Sequence, residues 1–423
     1  MKNDIITTDK VSLNRSERLS RRRITFFLLF LNVVTSAAVS IYIPNLKQMA
    51  VELKTTGALM QMTIVAHLIG EFTGRIMCCP LIDLYGNRLV VLPALVISAV
   101  GHLGCMTASS LPLFISMRFL QAIGASVIYI VSLSIINETF SYEEKAGVVG
   151  ILELYQPIAW ILSPFVGTIL AEIWSWRLSF LLLFLSQLVG IAFFYSYAEA
   201  RKSKRRFSVS KLFCDYKSIL KNSSFVIYAL IPGLFAGGYM IFATSSPFIC
   251  SEFLGHDAAD VAIFTAIPLV FYVMATFAYR AVLRKLGLKA SKKIGIAVYS
   301  ILGVYITLLM AEHVPWTPNN LLFCMGVQCV GSAFLVPVSV LKAIQSCQNA
   351  SHVGASTVVV FRNLVMSLCI TSGVKFNESI TAMMASIFMT VGTALVLIMT
   401  RRIIKARVVA RQKIILKKHG LKS

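Results

Sequence analysis

Apolar residues in this chain gather into twelve runs of roughly 20 residues, with neither the strict alternation of a strand nor the single stripe of a surface helix. The runs fall at 24–46, 58–80, 89–109, 112–136, 146–170, 178–198, 223–247, 259–281, 293–311, 320–341, 354–374 and 379–400. An α-helix rises about 1.5 Å per residue, so each run matches the roughly 30 Å hydrocarbon core of a bilayer. Lipid offers no hydrogen bonds to an open backbone, and runs of this length therefore predict helices. The expected fold class is an all-α membrane protein with twelve transmembrane helices.

Polar stretches divide and orient these runs. The longest internal one separates six spans from six, giving a segment 1–23, a six-helix half 24–198, a basic linker 199–222, a second six-helix half 223–400 and a basic tail 401–423. Thirty-three of the 40 Lys and Arg residues lie at the two ends and in every second gap. Basic residues are retained on the cytoplasmic side, so a multi-pass protein with both termini inside is expected. Lys47, Lys54, Arg177 and Lys375 occupy the opposite loops. The linker run Arg201-Lys202-Ser203-Lys204-Arg205-Arg206 reads as a lipid-facing topogenic loop. The tail, with Ile403, Val408 and Ile414 among its basic residues, reads as an amphipathic helix on an anionic leaflet. Membrane lipids are therefore expected partners.

Composition narrows the classes further. At 57% apolar and 14% charged residues, with a mean hydropathy of +0.77, a soluble globular fold is excluded. The net charge of +22 is spread among loops without interleaved aromatics, which argues against nucleic acid as a partner. The nine cysteines, Cys78, Cys79 and Cys105 among them, lack metal-ligand spacing, and no metal or other cofactor is expected. Arg21-Arg22-Arg23, the apolar stretch after it and Thr35-Ser36-Ala37-Ala38 imitate a cleavable signal peptide, yet apolar sequence runs on to Leu46 as a span requires.

Several motifs sit at fixed places on this plan. The gap after the second run reads Pro80-Leu81-Ile82-Asp83-Leu84-Tyr85-Gly86-Asn87-Arg88, an acid and a glycine turn followed by a base. The fourth run carries Arg118-Phe119-Leu120-Gln121-Ala122-Ile123-Gly124-Ala125-Ser126, and the fifth carries Ser163-Pro164-Phe165-Val166-Gly167. Tyr42-Ile43-Pro44-Asn45-Leu46 ends the first run, Trp176-Arg177-Leu178-Ser179-Phe180 opens the sixth, and Ser245-Ser246-Pro247-Phe248 lies near the end of the seventh. In a six-plus-six chain this set resembles the major facilitator superfamily, and more narrowly its Bcr/CflA branch of bacterial drug:proton antiporters.

The resemblance implies two pseudo-symmetric six-helix halves that rock about a central cavity, in a monomer of the bacterial inner membrane. It implies a cytoplasmic gate loop in which Asp83, Gly86 and Arg88 latch one state, and a helix-5 motif at Pro164 and Gly167. It also implies that Arg118 supports the cavity and modulates proton release. Asp83 has a simpler reading as a cap of the next helix. Cys79, Leu84 and Asn87 depart from the family pattern, which has Gly at the first place and often bases at the other two, so the latch is expected to be weak. A larger departure lies in the first run. The branch usually carries an acid two places before the Tyr of its Tyr-x-Pro element, where this chain has Ser40.

Charges inside spans are costly, about 2.5–3.5 kcal/mol for Arg at a helix centre, and mark function by default. His67, Glu71 and Arg75 recur every four residues and share one helical face. Glu71 is therefore the first candidate for the coupling carboxylate, with protons as the coupling ion, and Glu153 is the second. The simpler alternative is that Glu71 and Arg75 neutralise each other while His67 donates to a carbonyl. Arg362, near the middle of the eleventh run, either meets Glu71 across the boundary between halves or binds an anionic substrate group. Arg118 requires carbonyls, water or an acid. Asn32, Tyr42, Gln121 and Tyr239, with Tyr129, Gln156, Tyr272 and Gln328, are candidates for the substrate cavity or for glue between helices.

The expected function is secondary active transport of a small-molecule substrate by alternating access. Export of drugs or amphipathic metabolites coupled to proton entry is the first reading. Uptake or facilitated transport of an anionic or zwitterionic solute, such as an amino acid or siderophore, is the second, and a transporter-like solute sensor is a further alternative. No His-Glu-x-x-His or Gly-x-Ser-x-Gly element occurs, and an enzyme is not expected.

Overall fold

The computed structural model describes residues 15–140, 142–197, 217–253, 258–311, 313, 315, 317–346, 351–374, 383, 385–390, 392–394 and 396–397. Its helices are α1 (Arg15–Ser40), α2 (Leu46–Glu52), α3 (Gly57–Tyr85), α4 (Asn87–Thr107), α5 (Leu111–Thr139), α6 (Tyr142–Ile173), α7 (Arg177–Tyr197), α8 (Ser223–Phe253), α9 (Ala258–Met310), α10 (Pro318–Gln345) and α11 (Ser351–Val374). No strand occurs among the described residues. A 3-10 turn, Ile43–Asn45, joins α1 to α2.

Nine helices among the described residues are long and apolar enough to cross a bilayer. One of them, Ala259–Met310, has 52 residues, a length of about 80 Å that no single crossing needs. Gly287, at φ 75° and ψ 178°, breaks it. Only glycine takes that conformation freely, and the break divides α9 into the eighth and ninth expected spans. Two shorter apolar segments, Thr357–Gly373 and Ala385–Ala394, fall within the eleventh and twelfth runs. The last run lies partly outside the described residues, as do most of the linker and the whole tail.

Packing between helices repeats from one half to the other. In the first half α3 packs on α5, α4 on α5 and α1 on α6, while in the second α9 packs on α10 and α8 on α11. Adding six to each span number maps the first set onto the second. The same operation relates the two most extensive contacts between halves, α3 with α11 and α6 with α9. Small residues permit this closeness: a Cβ on Gly70 or Gly74 would meet the Phe119 or Ile123 carbonyl oxygen of α5 at 2.5 or 2.4 Å. The largest core cluster runs from Val34 to Ala394 and includes residues of both halves. Several spans carry prolines, among them Pro157 and Pro164 in α6 and Pro232 and Pro247 in α8. Neighbouring helices tolerate such interruptions where they serve the freed backbone groups.

Candidate functional site

Between the halves lies a cavity of about 750 Å³, its open mouth included. Helix α1 contributes Thr35, Ser36 and Val39, α3 contributes Leu68, Glu71 and Arg75, and α5 contributes Ala125 and Tyr129. From α6 come Tyr155, Gln156 and Trp160, and from α11 come Val359, Arg362, Asn363 and Met366. Glu71 and Asn363 each sit near the middle of their helix, so the cavity lies at the depth where a charge is most costly.

Glu71 is the junction of this site. Its Oε2 accepts from Arg75 Nη2 at 3.3 Å, one turn along α3, and from Asn363 Nδ2 of the opposite half at 2.6 Å. Its Oε1 stands 3.8 Å from Nε2 of His67. The shared helical face expected for His67, Glu71 and Arg75 is thus present, with His67 fully buried and the other two slightly open to the cavity. Arg362 lines the same space and acts on Glu71 electrostatically. The direct link across the halves is nevertheless made by Asn363, one residue further along α11. A short amide reaches the carboxylate without having to leave the cavity wall, whereas Arg362 forms no ion pair with it.

Arg118 occupies a different setting. It is fully buried within the first half, donates from Nη1 to the Ala38 carbonyl at 2.9 Å and to Gln121 Oε1 at 2.8 Å, and lies 4.5 Å from the Tyr42 ring centroid. Carbonyl, amide and aromatic face replace a carboxylate as its surroundings. Its Nε and Nη2 have no hydrogen-bond partner. Gln121 also accepts weakly from Cys105 Sγ, and Tyr42 shares a 3.0 Å hydrogen bond with Thr63.

The remaining predicted residues divide by location. Asn32, Tyr42, Gln121 and Tyr239 are not among the lining residues of the cavity. Asn32 donates to Leu28 and Ser132, and the Tyr239 hydroxyl donates to the Thr265 carbonyl at 3.1 Å. Gln328 donates to the Phe235 carbonyl and Tyr272 packs against the core, whereas Tyr129 and Gln156 do line the cavity. Ser40, at the place of the missing acid, shares a 2.7 Å hydrogen bond with Ser163 of α6. Four residues on along α6, a Cβ at Gly167 would fall on the Ile41 carbonyl oxygen, so this position of the helix-5 motif lets α6 touch the chain at the end of α1. In the loop after α3, Gly86 takes φ 84° and its N–H bonds Ile82 O, while Arg88 donates to the Tyr195 carbonyl at 3.4 Å. The side chains of Asp83 and Glu153 lie outside the described residues.

The halves also meet at the end of the bundle that carries α2. Gln61 donates to the Thr244 carbonyl at 3.2 Å, and Trp160 stacks on Tyr239 with planes 9° apart. Beside them Glu52 accepts from Trp176 Nε1 at 2.6 Å and pairs with Arg177, which also donates to the Ala108 carbonyl at 3.0 Å. Sequence reasoning missed Tyr155, Trp160 and Asn363. The signal for Asn363 was present, since Val359, Arg362, Asn363 and Met366 form one stripe at helical spacing.

Comparison with known proteins places this architecture. The family model for the Major Facilitator Superfamily matches residues 28–369. The multidrug resistance protein MdtL of Salmonella heidelberg (strain SL476) is 24% identical over 322 residues, covering 76% of this chain and 80% of that protein. A POT family transporter in complex with 5-aminolevulinic acid superposes with a TM-score of 0.74 at 12% identity, covering 92% of this chain and 96% of its own. The partially occluded inward open xylose transporter XylE from E. coli gives 0.68 at 14% identity, covering 88% and 95%. At these identities the two structural likenesses speak to the fold alone.

Proposed function

The chain belongs to the Major Facilitator Superfamily, and from that premise we propose that it is a secondary active transporter in which Glu71 links proton movement to passage of a small solute. The observation that supports this reading most is the placement of one carboxylate, in the cavity wall, between Arg75 of its own helix and Asn363 of the other half. Such a contact is breakable. A bound proton removes the charge that strengthens both hydrogen bonds, so the tie between halves weakens when the proton arrives and returns when it leaves. Ser40 is engaged by Ser163, and α1 offers no acid inside the membrane to share the task.

Charge patterning puts the α2 end outside, with both termini cytoplasmic in the inner membrane and the monomer as working unit. Contacts at Gln61, Trp160 and Tyr239 then close the cavity to the outside, and alternating access consists of opening them while the other end closes. Export of drugs or amphipathic metabolites agrees with the name of the relative MdtL and with an aromatic wall of Tyr129, Tyr155 and Trp160.

A second reading, uptake of an acidic or zwitterionic solute together with a proton, has its own support. The described lining holds two guanidinium groups and one carboxylate. Protonating Glu71 raises the positive charge facing an anion, so proton and anion bind together rather than in exchange. Purified protein in proteoliposomes with an imposed pH gradient tests these readings. Solute movement against the proton flow supports export by exchange, movement with it supports uptake, and ligand binding without flux under either gradient would show a sensor and overturn the transport reading.

A further inference from the structure

We propose that the transported solute carries a carboxylate or comparable acidic oxygen group, received between Arg362 of one half and Trp160 of the other. This rests on the transporter reading above. Three cavity-lining side chains have a buried nitrogen without a hydrogen-bond partner: Arg75 Nε, Trp160 Nε1 and Arg362 Nε. All three are donors. No buried acceptor among the described lining residues is left without a partner to answer them. Buried donors are rarely left so in folded proteins, and a set of one kind defines the chemistry of what completes it.

Glu71 does not supply that acceptor. Its Oε2 already serves Arg75 Nη2 and Asn363, and its Oε1 faces His67. Arg362 has no carboxylate within ion-pair distance among the described residues. Water can satisfy single N–H groups, but only an anion also answers the excess of positive charge in a low-dielectric site. An amine would instead face two guanidinium groups, with the one carboxylate of the described lining already engaged. Trp160 adds an apolar surface, because its ring is stacked on Tyr239 and held in place. An acid with an aromatic or apolar body fits both features. Since Trp160 and Arg362 belong to different halves, one bound oxyanion would tie α6 to α11.

The test uses the purified full-length chain and three probes of like shape: phenylacetate, phenylacetamide and phenethylamine. Calorimetry is expected to rank phenylacetate above the other two by about tenfold or more, the size of one hydrogen bond to a charged group. Arg362→Gln is expected to abolish that preference, and Trp160→Phe, which keeps a ring but drops the donor, to reduce it. Arg362→Lys should retain part of it. Equal or stronger binding of the amide or the amine overturns the proposal, as does binding of none of the three by cooperatively folding protein. A preference that survives both Arg362→Gln and Trp160→Phe overturns it as well. Phenylacetate binding without flux in proteoliposomes would sink the transporter reading while leaving the recognition intact. Flux of phenethylamine without phenylacetate binding would do the reverse.

Discussion

Arg118 and Arg362 are both guanidinium groups inside apolar spans, yet one is sealed and the other faces a cavity. Arg118 has no exposed surface and is held by a carbonyl, an amide oxygen and the face of Tyr42, all from the first half. Arg362 lines the space between halves, and both side chains keep buried N–H groups without a partner. The same side chain thus does two kinds of work, and the difference lies in what surrounds it. A charge fixed by its own half stabilises one packing arrangement, whereas a charge at the seam remains free to respond to protons and solute.

This contrast makes its largest demand on Arg118. Arg118→Ala leaves a cavity and strips Gln121 of its partner, and should cost roughly 2–4 kcal/mol in unfolding of the purified protein. Wild-type stability in that variant would erase the distinction between the two sites. Next in size is Asn363→Leu, which removes the donor that joins Glu71 to the second half. A hydrogen bond to a charged group contributes about 1.5–3 kcal/mol, so spin-label distances between halves should show the conformational equilibrium shifted by at least about tenfold.

Smaller effects sharpen the comparison from the other side. Arg362→Ala should leave unfolding within about 1 kcal/mol of wild type, because its side chain makes no ion pair or hydrogen bond among the described residues. Destabilisation equal to that of Arg118→Ala would make Arg362 a structural residue. Glu52→Gln should change stability least, by under about 1 kcal/mol. Glu52 is nearly half exposed, at 43%, and water screens its pair with Arg177. A larger loss in thermal unfolding would mean that α2 depends on that pair far more than its exposure implies.

Much of the fold was legible because the bilayer constrains length so strongly. Every apolar run of about 20 residues before the last corresponds to a helix or an arm of one. The break at Gly287 falls in the basic gap between the eighth and ninth runs, so two spans were legible there even though helical backbone continues on either side of the glycine. The charged half of the site was legible for a related reason. Glu71, Arg75 and Arg362 stand out in apolar sequence, where an ionised group needs a purpose. Asn363 and Trp160 do not stand out, because an amide or an indole in a span is as readily glue or ballast, and only the convergence of α6 and α11 gives them a role. Asn32, Tyr42 and Gln121 show the converse. Each is polar enough to line a cavity, but Ser132, Thr63 and Arg118 claim them within the first half.

The central claim is that one carboxylate at the seam, Glu71, couples protons to solute. Proteoliposomes bearing Glu71→Gln separate coupling from passage, because exchange of labelled for unlabelled solute needs no gradient while accumulation does. The account predicts that exchange persists and that accumulation driven by the pH gradient falls at least about tenfold, with Glu153→Gln as the parallel control for the other candidate acid. Full gradient-driven accumulation by Glu71→Gln would contradict it.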